Sequence, residues 1–256
     1  MVPAQEAINL IQITDTHLLA CKKDKFREIN PYQSLKGVLK HIESSNWQPD
    51  LVIATGDLSQ DGSITSYEHF FDLLQHSAIP ILCIPGNHDK KDKLIKSLSG
   101  KSLYCEQITK RNWSIIGIDS CYKDNTRGYI SKRELRRLES SLNNSNSEHI
   151  IICLHHQPVS IESEWLDKIG LQNNTEFLNL IKTSPKIRAV FFGHIHQDYA
   201  SDLNNIKMIG TPSTCKQFKS KENDFVLDDL PPAYRRIQLF DEGSIQSEII
   251  WLHTFN

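Results

Sequence analysis

Apolar runs of strand length alternate along this chain with segments whose apolar residues recur at helical spacing. The run "INLIQIT" (8–14) precedes a segment (32–45) that carries leucine, valine and isoleucine along one helical face. Further runs of the strand type occupy residues 51–55, 79–85, 149–154 and 187–192, and further segments of the helical type begin near residue 63 and occupy 131–142 and 175–184. Alternation of this kind favours β-α-β units and a largely parallel sheet with helices on both faces.

The middle and the end of the chain carry shorter runs. Residues 102–120 predict two strands around a polar turn, and short strand-like runs make the chain rich in strands from about residue 197. These later runs predict a second sheet. Residues 160–174 and 216–229 show neither the helical nor the strand periodicity of apolar residues and are expected to be irregular. Because no linker and no low-complexity segment interrupts the pattern, we predict a single domain over residues 1–256.

Composition narrows the class of protein. The net charge of -2 and the 39% of hydrophobic residues are typical of a soluble globular protein, and the charge balance argues against a nucleic-acid partner. No apolar run is long enough to span a bilayer, so we expect no stable membrane insertion. The N-terminal stretch "MVPAQEAINLIQITD" lacks the basic start and the long apolar core of a secretory signal, which favours a cytoplasmic protein.

The cysteines point to the same compartment. The chain has six of them, and none forms a C-x-x-C pair or has the spacing of a zinc ribbon. They are Cys21, Cys83, Cys105, Cys121, Cys153 and Cys215. Cys83 and Cys153 lie in apolar runs, where cysteine often packs as a small hydrophobic residue. We therefore expect free thiols in a reducing compartment rather than a framework of disulfides.

Polar side chains follow the strand-like runs at the points where the runs end. The stretches are Asp15-Thr16-His17, Gly56-Asp57, Gly86-Asn87-His88-Asp89, His155-His156-Gln157-Pro158 and Gly193-His194-Ile195-His196. In open α/β sheets ligands bind beyond the carboxyl ends of the strands, so these stretches are expected to meet at one rim. Carboxylate and amide oxygens together with imidazole nitrogens suit manganese, iron, zinc or cobalt ions. Each stretch alone is typical of an ordinary turn, but their recurrence at strand ends predicts a metal site.

The ordered motifs "DTH", "GD", "GNHD", "HHQP" and "GHIH" resemble those of the calcineurin-like metallophosphoesterases over residues 15–196. The longer stretches "GDLSQDG", "PGNHD", "LHHQPV" and "GHIHQ" are similar to the class III cyclic-nucleotide phosphodiesterases, the Icc or CpdA group. The stretches "GTPSTCKQF" (210–218) and "LPPAYRRIQL" (230–239) extend the likeness into the tail. The resemblance implies an α/β fold in the form of a four-layer α/β/β/α sandwich, with two mixed sheets flanked by helices.

The resemblance also implies a pair of transition-metal ions, with iron or manganese or both expected and zinc or cobalt as alternatives. One ion would be bound by Asp15, His17, Asp57 and His196. The other would be bound by Asp57, Asn87, His194 and a histidine of "HHQP". Asp57 would therefore bridge the two ions. The ligand of the family lies two residues before a proline, which selects His156 and makes His155 the alternative.

Contacts with the substrate are implied by the same resemblance. Asn87, His88 and His196 would lie at the substrate, and His88 would be the catalytic residue that protonates the leaving oxygen rather than a metal ligand. Asp61 receives no catalytic role and is expected to be a turn residue or to support the ligands from behind.

The implied activity is hydrolysis of the small-molecule substrate 3′,5′-cyclic AMP to 5′-AMP, by in-line attack of a hydroxide that bridges the two ions. The motifs leave open a broader phosphodiesterase that acts on 2′,3′-cyclic nucleotides or glycerophosphodiesters, and a non-catalytic metal-binding scaffold is a further alternative. A protein serine/threonine phosphatase would usually show "GDxxDRG" and "GNHE", and this chain has "GDLSQDG" and "GNHD" instead. The acidic balance disfavours a DNA nuclease. A homodimer is one assembly that the sequence leaves open.

Overall fold

The computed structural model describes residues 7–74, 79–100, 102–122 and 125–253. The strands are β1 (Ile8–Ile13), β2 (Leu51–Ala54), β3 (Ile81–Cys83), β4 (Ser102–Tyr104), β5 (Gln107–Lys110), β6 (Trp113–Gly117), β7 (His149–Leu154), β8 (Ile187–Phe192), β9 (Tyr199–Leu203), β10 (Ile206–Gly210), β11 (Gln217–Phe218), β12 (Leu227–Asp228), β13 (Ala233–Leu239) and β14 (Ile245–Trp251). The helices are α1 (Pro31–Ser44), α2 (Ile64–Leu74), α3 (Lys91–Ser97), α4 (Lys132–Asn144), α5 (Glu164–Asp167) and α6 (Asn174–Ile181).

The strands form two mixed sheets and one small hairpin. The first sheet has the order β14-β13-β1-β2-β3-β4, and the second has the order β5-β6-β7-β8-β10-β9. Strands β1 to β4 are parallel to one another, as are β6, β7, β8 and β10, whereas β5, β9, β13 and β14 pair antiparallel at the edges. Each parallel set therefore delivers the carboxyl ends of its strands to a single edge.

The two sheets pack face to face and helices cover their outer faces. Leu10 and Ile53 of the first sheet share a buried core with Ile151 and Phe191 of the second. Residues of α1, α2 and α3 pack on the other face of the first sheet, and residues of α4, α5 and α6 pack on the other face of the second. This arrangement confirms the four-layer α/β/β/α sandwich.

Local signals in the sequence explain where the longer helices begin. The side chain of Asn30 accepts a hydrogen bond from the backbone N–H of Gln33, and Pro31 occupies the first helical position of α1. The side chain of Ser131 accepts from the backbone N–H of Glu134 in the same way and caps α4. The predicted helices over 32–45, 131–142 and 175–184 are confirmed to within three residues at each end.

Several sequence predictions are wrong in detail. Residues 102–120 hold three strands rather than two, because β4 pairs with β3 in the first sheet while β5 and β6 form a hairpin in the second. The late strands do not form the second sheet by themselves, since β13 and β14 extend the first sheet and β9 and β10 extend the second. The segments expected to be irregular contain α5 and the β11–β12 hairpin. Pairing between distant strands is invisible to local periodicity, which explains these errors.

Other predictions concern the chain as a whole. The six cysteines are free thiols, as expected. None of the helices in the described ranges combines the length and the hydropathy that a bilayer crossing requires. The N-terminal stretch judged not to be a secretory signal includes residues 1–6, which lie outside the described residues. The single domain over 1–256 therefore stays a prediction.

Candidate metal centre

The carboxyl ends of the strands bring the predicted ligands together between the two sheets. Among the described residues, four overlapping groups of side chains place their ligand atoms within 4.8 Å of one another. The groups are His155-His156-His194, Asp15-His17-His196, His17-Asp57-His88 and Asp15-Asp57-His155. Asn87 joins them, because its Oδ1 lies 3.2 Å from Nε2 of His155. All the predicted site residues therefore lie in one cluster.

The first half of the cluster consists of Asp15, His17 and His196. Nitrogen and oxygen atoms that carry lone pairs face one another there. Nδ1 of His17 donates to Oε1 of Gln60 at 2.8 Å, and Nδ1 of His196 donates to the carbonyl of Lys216 at 2.6 Å. In the neutral rings both Nε2 atoms are then unprotonated, yet they lie 3.2 Å apart. Oδ1 of Asp15 lies 3.2 Å from Nε2 of His196 and has no hydrogen-bond partner among the described residues.

That geometry fits a metal ion. Donor atoms bonded to one ion at about 2.1 Å lie roughly 3.0–3.4 Å apart, and the separations in the first half match this spacing. An oxygen that accepts a hydrogen bond from Nδ1 of each ring fixes the tautomer in the form that binds metal. The chemistry of Asp15, His17 and His196 is therefore that of a cation site.

The second half of the cluster repeats the pattern. Nδ1 of His155 donates to the carbonyl of Thr55 at 2.8 Å, which turns its Nε2 toward Oδ1 of Asn87 at 3.2 Å and Oδ2 of Asp57 at 3.5 Å. Nε2 of His194 is buried and finds no hydrogen-bond partner in the described part of the chain. An orphaned buried imidazole nitrogen is costly unless a hydrogen bond or a cation satisfies it.

Burial and neighbouring charges shift the pKa values of the cluster in opposite directions. Burial alone would lower the pKa of His155, but the Asp57 carboxylate outweighs burial and raises that pKa to about 9. Burial likewise opposes ionisation of Asp57, yet His155 holds the pKa of this carboxyl well below its ordinary range. Burial lowers the pKa of His17 to about 3, so this ring stays in the neutral form that binds metal.

The two histidines of "HHQP" have different surroundings. Nδ1 of His156 lies 2.9 Å from the hydroxyl of Ser120, and its Nε2 donates to the carbonyl of Thr126 at 3.3 Å. Both ring nitrogens of His156 thus have protein partners, although the ring also lies beside His194. Nε2 of His155 instead faces Asp57. The ligand role of His156 stays a prediction, and the contacts favour His155.

The backbone is strained at the predicted ligands. Positive φ angles occur at Asp15 (52°), His17 (48°), Asp57 (48°), His194 (67°) and His196 (51°). This conformation is uncommon for residues other than glycine, and each instance costs on the order of 1–3 kcal/mol. Backbone bonds hold the turns in place, since Asp15 N donates to the carbonyl of residue 56 and His17 N donates to that of Asp57, both at 2.9 Å.

Glycines allow the turns to approach one another. A Cβ atom at Gly86 would lie 2.1 Å from Oδ1 of Asp57. A Cβ atom at Gly193 would lie 2.1 Å from Oγ1 of Thr14 and 2.8 Å from Oδ2 of Asp15. Real Cβ atoms do not approach so closely, so only glycine permits these turns to pack against the carboxylates.

The sequence does not reveal two residues, Gln60 and Asp89, that support the candidate ligands or the turns that bear them. Gln60 contacts two rings at once, because its Oε1 accepts from His17 and its Nε2 donates to Nδ1 of His88 at 3.3 Å. Asp89 is the last residue of "GNHD" and accepts hydrogen bonds from the backbone N–H groups of residues 58 (3.2 Å), 59 (3.0 Å) and 86 (2.8 Å). Both residues lie inside quoted motifs, but nothing local in the sequence reveals their partners.

The remaining side chains at the site are aromatic or belong to turns. The ring of Phe218 stacks on His196 with centroids 4.0 Å apart, and the ring of Phe26 stacks on His17 at 4.7 Å. Asp61 accepts from the backbone N–H of Ala20 and of residue 63, both at 2.9 Å. Asp61 is thus a turn residue, as expected.

Replacement of Asp89 by asparagine should weaken metal binding. The amide keeps one acceptor oxygen, and its NH₂ group would face backbone N–H donors that the carboxylate now accepts. Supports of metal ligands typically contribute about 10–100-fold in metal affinity, and we expect Asp89→Asn to lose that much in a titration with Mn²⁺. Asp61→Asn makes the same chemical change in a neighbouring turn and should retain its affinity. Equal losses in the two variants would contradict this role of Asp89.

Comparisons with known proteins agree with the geometry. The family model described as calcineurin-like phosphoesterase matches residues 8–198. The 3′,5′-cyclic adenosine monophosphate phosphodiesterase CpdA of Pseudomonas aeruginosa is 33% identical over 248 residues, which cover 96% of this chain and 91% of the relative. A 3′,5′-cyclic-nucleotide phosphodiesterase of Nostoc sp. is 35% identical over 243 residues, which cover 94% of this chain and 91% of the relative.

A solved structure shares the fold. It is a dimetal phosphatase from Danio rerio, which aligns with a TM-score of 0.68 and 13% identity over 96% of this chain and 99% of its own. At that identity the likeness concerns the fold alone. The sequence relatives and the family model go further, and they show that this chain is an enzyme that belongs to the calcineurin-like phosphoesterase family, in the CpdA group of cyclic-nucleotide phosphodiesterases.

Proposed function

We propose that this protein hydrolyses 3′,5′-cyclic AMP to 5′-AMP with the help of two transition-metal ions, iron or manganese or both. The observation that carries the proposal is the convergence of buried carboxylate and imidazole atoms at the carboxyl ends of the two sheets, where Oδ1 of Asp15 and Nε2 of His194 have no hydrogen-bond partner among the described residues. The names of the relatives support the choice of a 3′,5′-cyclic nucleotide as the substrate.

The donor atoms divide into two sets. Asp15, His17, Asp57 and His196 would hold one ion. Asp57, Asn87, His155 and His194 would hold the other, with His155 preferred to His156 because Nε2 of His155 faces Asp57 and Asn87. When bound, the ions would lower the pKa of a water molecule and neutralise charge on the phosphoryl oxygens.

His88 would supply the proton in this proposal. Its ring meets the edge of the His17 ring at 5.3 Å, and its backbone N–H donates to Oδ1 of Asp57 at 2.8 Å. Because Nδ1 of His88 accepts from Gln60, the neutral ring carries its proton on Nε2. Water adds to phosphorus while the bond from phosphorus to the ribose 3′-oxygen breaks. The 3′-oxygen would take the Nε2 proton of His88, the attacking water would release one proton that restores His88, and the product would be 5′-AMP.

A panel of substrates tests the proposal. The panel contains 3′,5′-cAMP, 3′,5′-cGMP, 2′,3′-cAMP, glycerophosphocholine and a phosphomonoester, each assayed with Mn²⁺ or Fe²⁺. We expect the highest kcat/KM with 3′,5′-cAMP and 5′-AMP as its product. A preference for 2′,3′-cAMP or glycerophosphocholine would replace the proposal with the broader diesterase. A protein that holds metal and hydrolyses nothing would be a scaffold.

Metal content distinguishes the two histidines of "HHQP". His155→Ala removes a nitrogen that faces Asp57 and Asn87, so we expect this variant to lose one of the two ions. His156→Ala removes a ring whose nitrogens already contact Ser120 and Thr126, so we expect it to retain more metal. Elemental analysis of the two purified variants gives the comparison. Greater metal loss in His156→Ala would assign the ligand to His156, as the family spacing predicts.

The role of His88 predicts a dependence on the leaving group. A general acid typically contributes about 10²–10⁴-fold in rate, and most when the leaving oxygen is basic. His88→Ala should therefore lose most activity on cAMP but retain much of its activity on bis-p-nitrophenyl phosphate, whose leaving group needs little protonation. Metal content should not change. An equal loss on both substrates would exclude the general-acid role, and loss of one ion would make His88 a ligand.

The other sequence predictions stay predictions. They are the absence of a nucleic-acid partner, the cytoplasmic location and the single domain, with the homodimer left open.

A further inference from the structure

We propose that a cavity beside the metal centre is the binding subsite for the nucleobase, with Tyr122 as its stacking residue; this inference rests on the proposed function. The cavity has a volume of 570 Å³, which lies within the range of about 300–1,000 Å³ that is typical of small-molecule sites. The segments that follow β3 and β6 line it, and the lining includes Asn87, Ile95, Asp119, Cys121 and Tyr122.

The cavity adjoins the place where the phosphate would bind. Asn87 lines the cavity and also lies 3.2 Å from Nε2 of His155 within the cluster of candidate ligands. A cyclic nucleotide whose phosphate lies over that cluster can therefore extend its base past Asn87 into the cavity. One substrate would then span both features.

Apolar side chains stand exposed on the walls of the cavity. Tyr122 is 57% exposed and Ile95 is 42% exposed, although both are large apolar side chains. Exposed apolar surface with a polar rim is typical of ligand-binding grooves. The ring of Tyr122 also packs against the ring of Tyr129 at 5.8 Å, in an edge-to-face arrangement that supports it. An exposed, supported aromatic ring is suited to stack on a planar base.

The charges of the cavity wall favour a neutral occupant. Oδ2 of Asp119 accepts from Nζ of Lys91 at 2.7 Å and from the hydroxyl of Tyr104 at 3.1 Å, and its Oδ1 accepts from the backbone N–H of Cys121 at 2.9 Å. Asp89 is engaged by three backbone N–H groups. A quaternary ammonium group such as choline would have to rely on Asp92, the remaining carboxylate of the lining, whereas an uncharged aromatic base needs no counter-charge.

Variants of Tyr122 test the subsite. Tyr122→Ala should raise KM for 3′,5′-cAMP about tenfold, which corresponds to about 1.4 kcal/mol, while kcat changes little. Tyr122→Phe retains the ring and should behave like the wild type. The control substrate is the 3′,5′-cyclic phosphate of methyl ribofuranoside, which has no base, and Tyr122→Ala should hydrolyse it as the wild type does. An equal loss on both substrates, or an unchanged KM for cAMP, would overturn the subsite.

The same experiment separates this subsite from the proposed function. A wild-type enzyme that does not hydrolyse cAMP would overturn the proposed function, and inhibition of bis-p-nitrophenyl phosphate hydrolysis by 5′-AMP would then test the subsite. Weaker inhibition in Tyr122→Ala but not in Tyr122→Phe would support it, and equal inhibition in all three proteins would overturn it. A selective loss of glycerophosphocholine hydrolysis in Tyr122→Ala would assign the cavity to choline instead.

Discussion

Asp15 and Asp57 are 0% and 2% exposed, and burial of a carboxylate costs several kcal/mol unless a cation and hydrogen bonds compensate. Hydrogen bonds occupy one oxygen of each residue. Oδ2 of Asp15 accepts from Oγ1 of Thr14 and from the backbone N–H of His194, and Oδ1 of Asp57 accepts from the backbone N–H of His88. The second oxygen of each carboxylate faces imidazole nitrogens. Cations bound at the candidate metal centre would neutralise these two remaining oxygens.

Polar contacts between the two sheets fix the relative positions of the turns that bear these carboxylates. Nε2 of Gln12 in β1 donates to Oγ1 of Thr55 at 2.9 Å and to the carbonyl of Phe192 at 3.2 Å. Oε1 of the same residue accepts from Oγ1 of Thr211 at 2.6 Å, and Thr211 accepts from Nε of Arg235 at 3.0 Å. The network joins strands of both sheets close to the residues that bear the ligands. Fixed sheets in turn allow the strained backbone at the ligands to persist.

The sequence predicted the convergence of the candidate ligands better than it predicted the sheets. The ligands follow strand ends at short local spacings, and parallel strands of either sheet bring such ends together, so their convergence needed little knowledge of topology. Strand β4 lies in the other sheet from β5, its neighbour in the chain, and local periodicity carries no information on that choice. Gln60 and Asp89 were missed for the same reason, because their partners lie on other turns. Tyr122 belongs to no motif and is significant only beside the cavity.

Strand parity explains why the two histidines of "HHQP" differ. Successive side chains of a strand point to opposite faces, and in β7 Ile151 and Cys153 point into the core between the sheets, whereas Ile152 and Leu154 point toward the helices. His155 continues the first set, so its ring reaches toward Asp57 of the other sheet. His156 continues the second set and its ring meets side chains and backbone of its own layer. Spacing before a proline cannot express this difference, because it contains no information on which face of β7 meets the first sheet. Once the two sheets are known to pack on each other, the parity of β7 alone directs His155 rather than His156 toward the carboxylate that both ions would share.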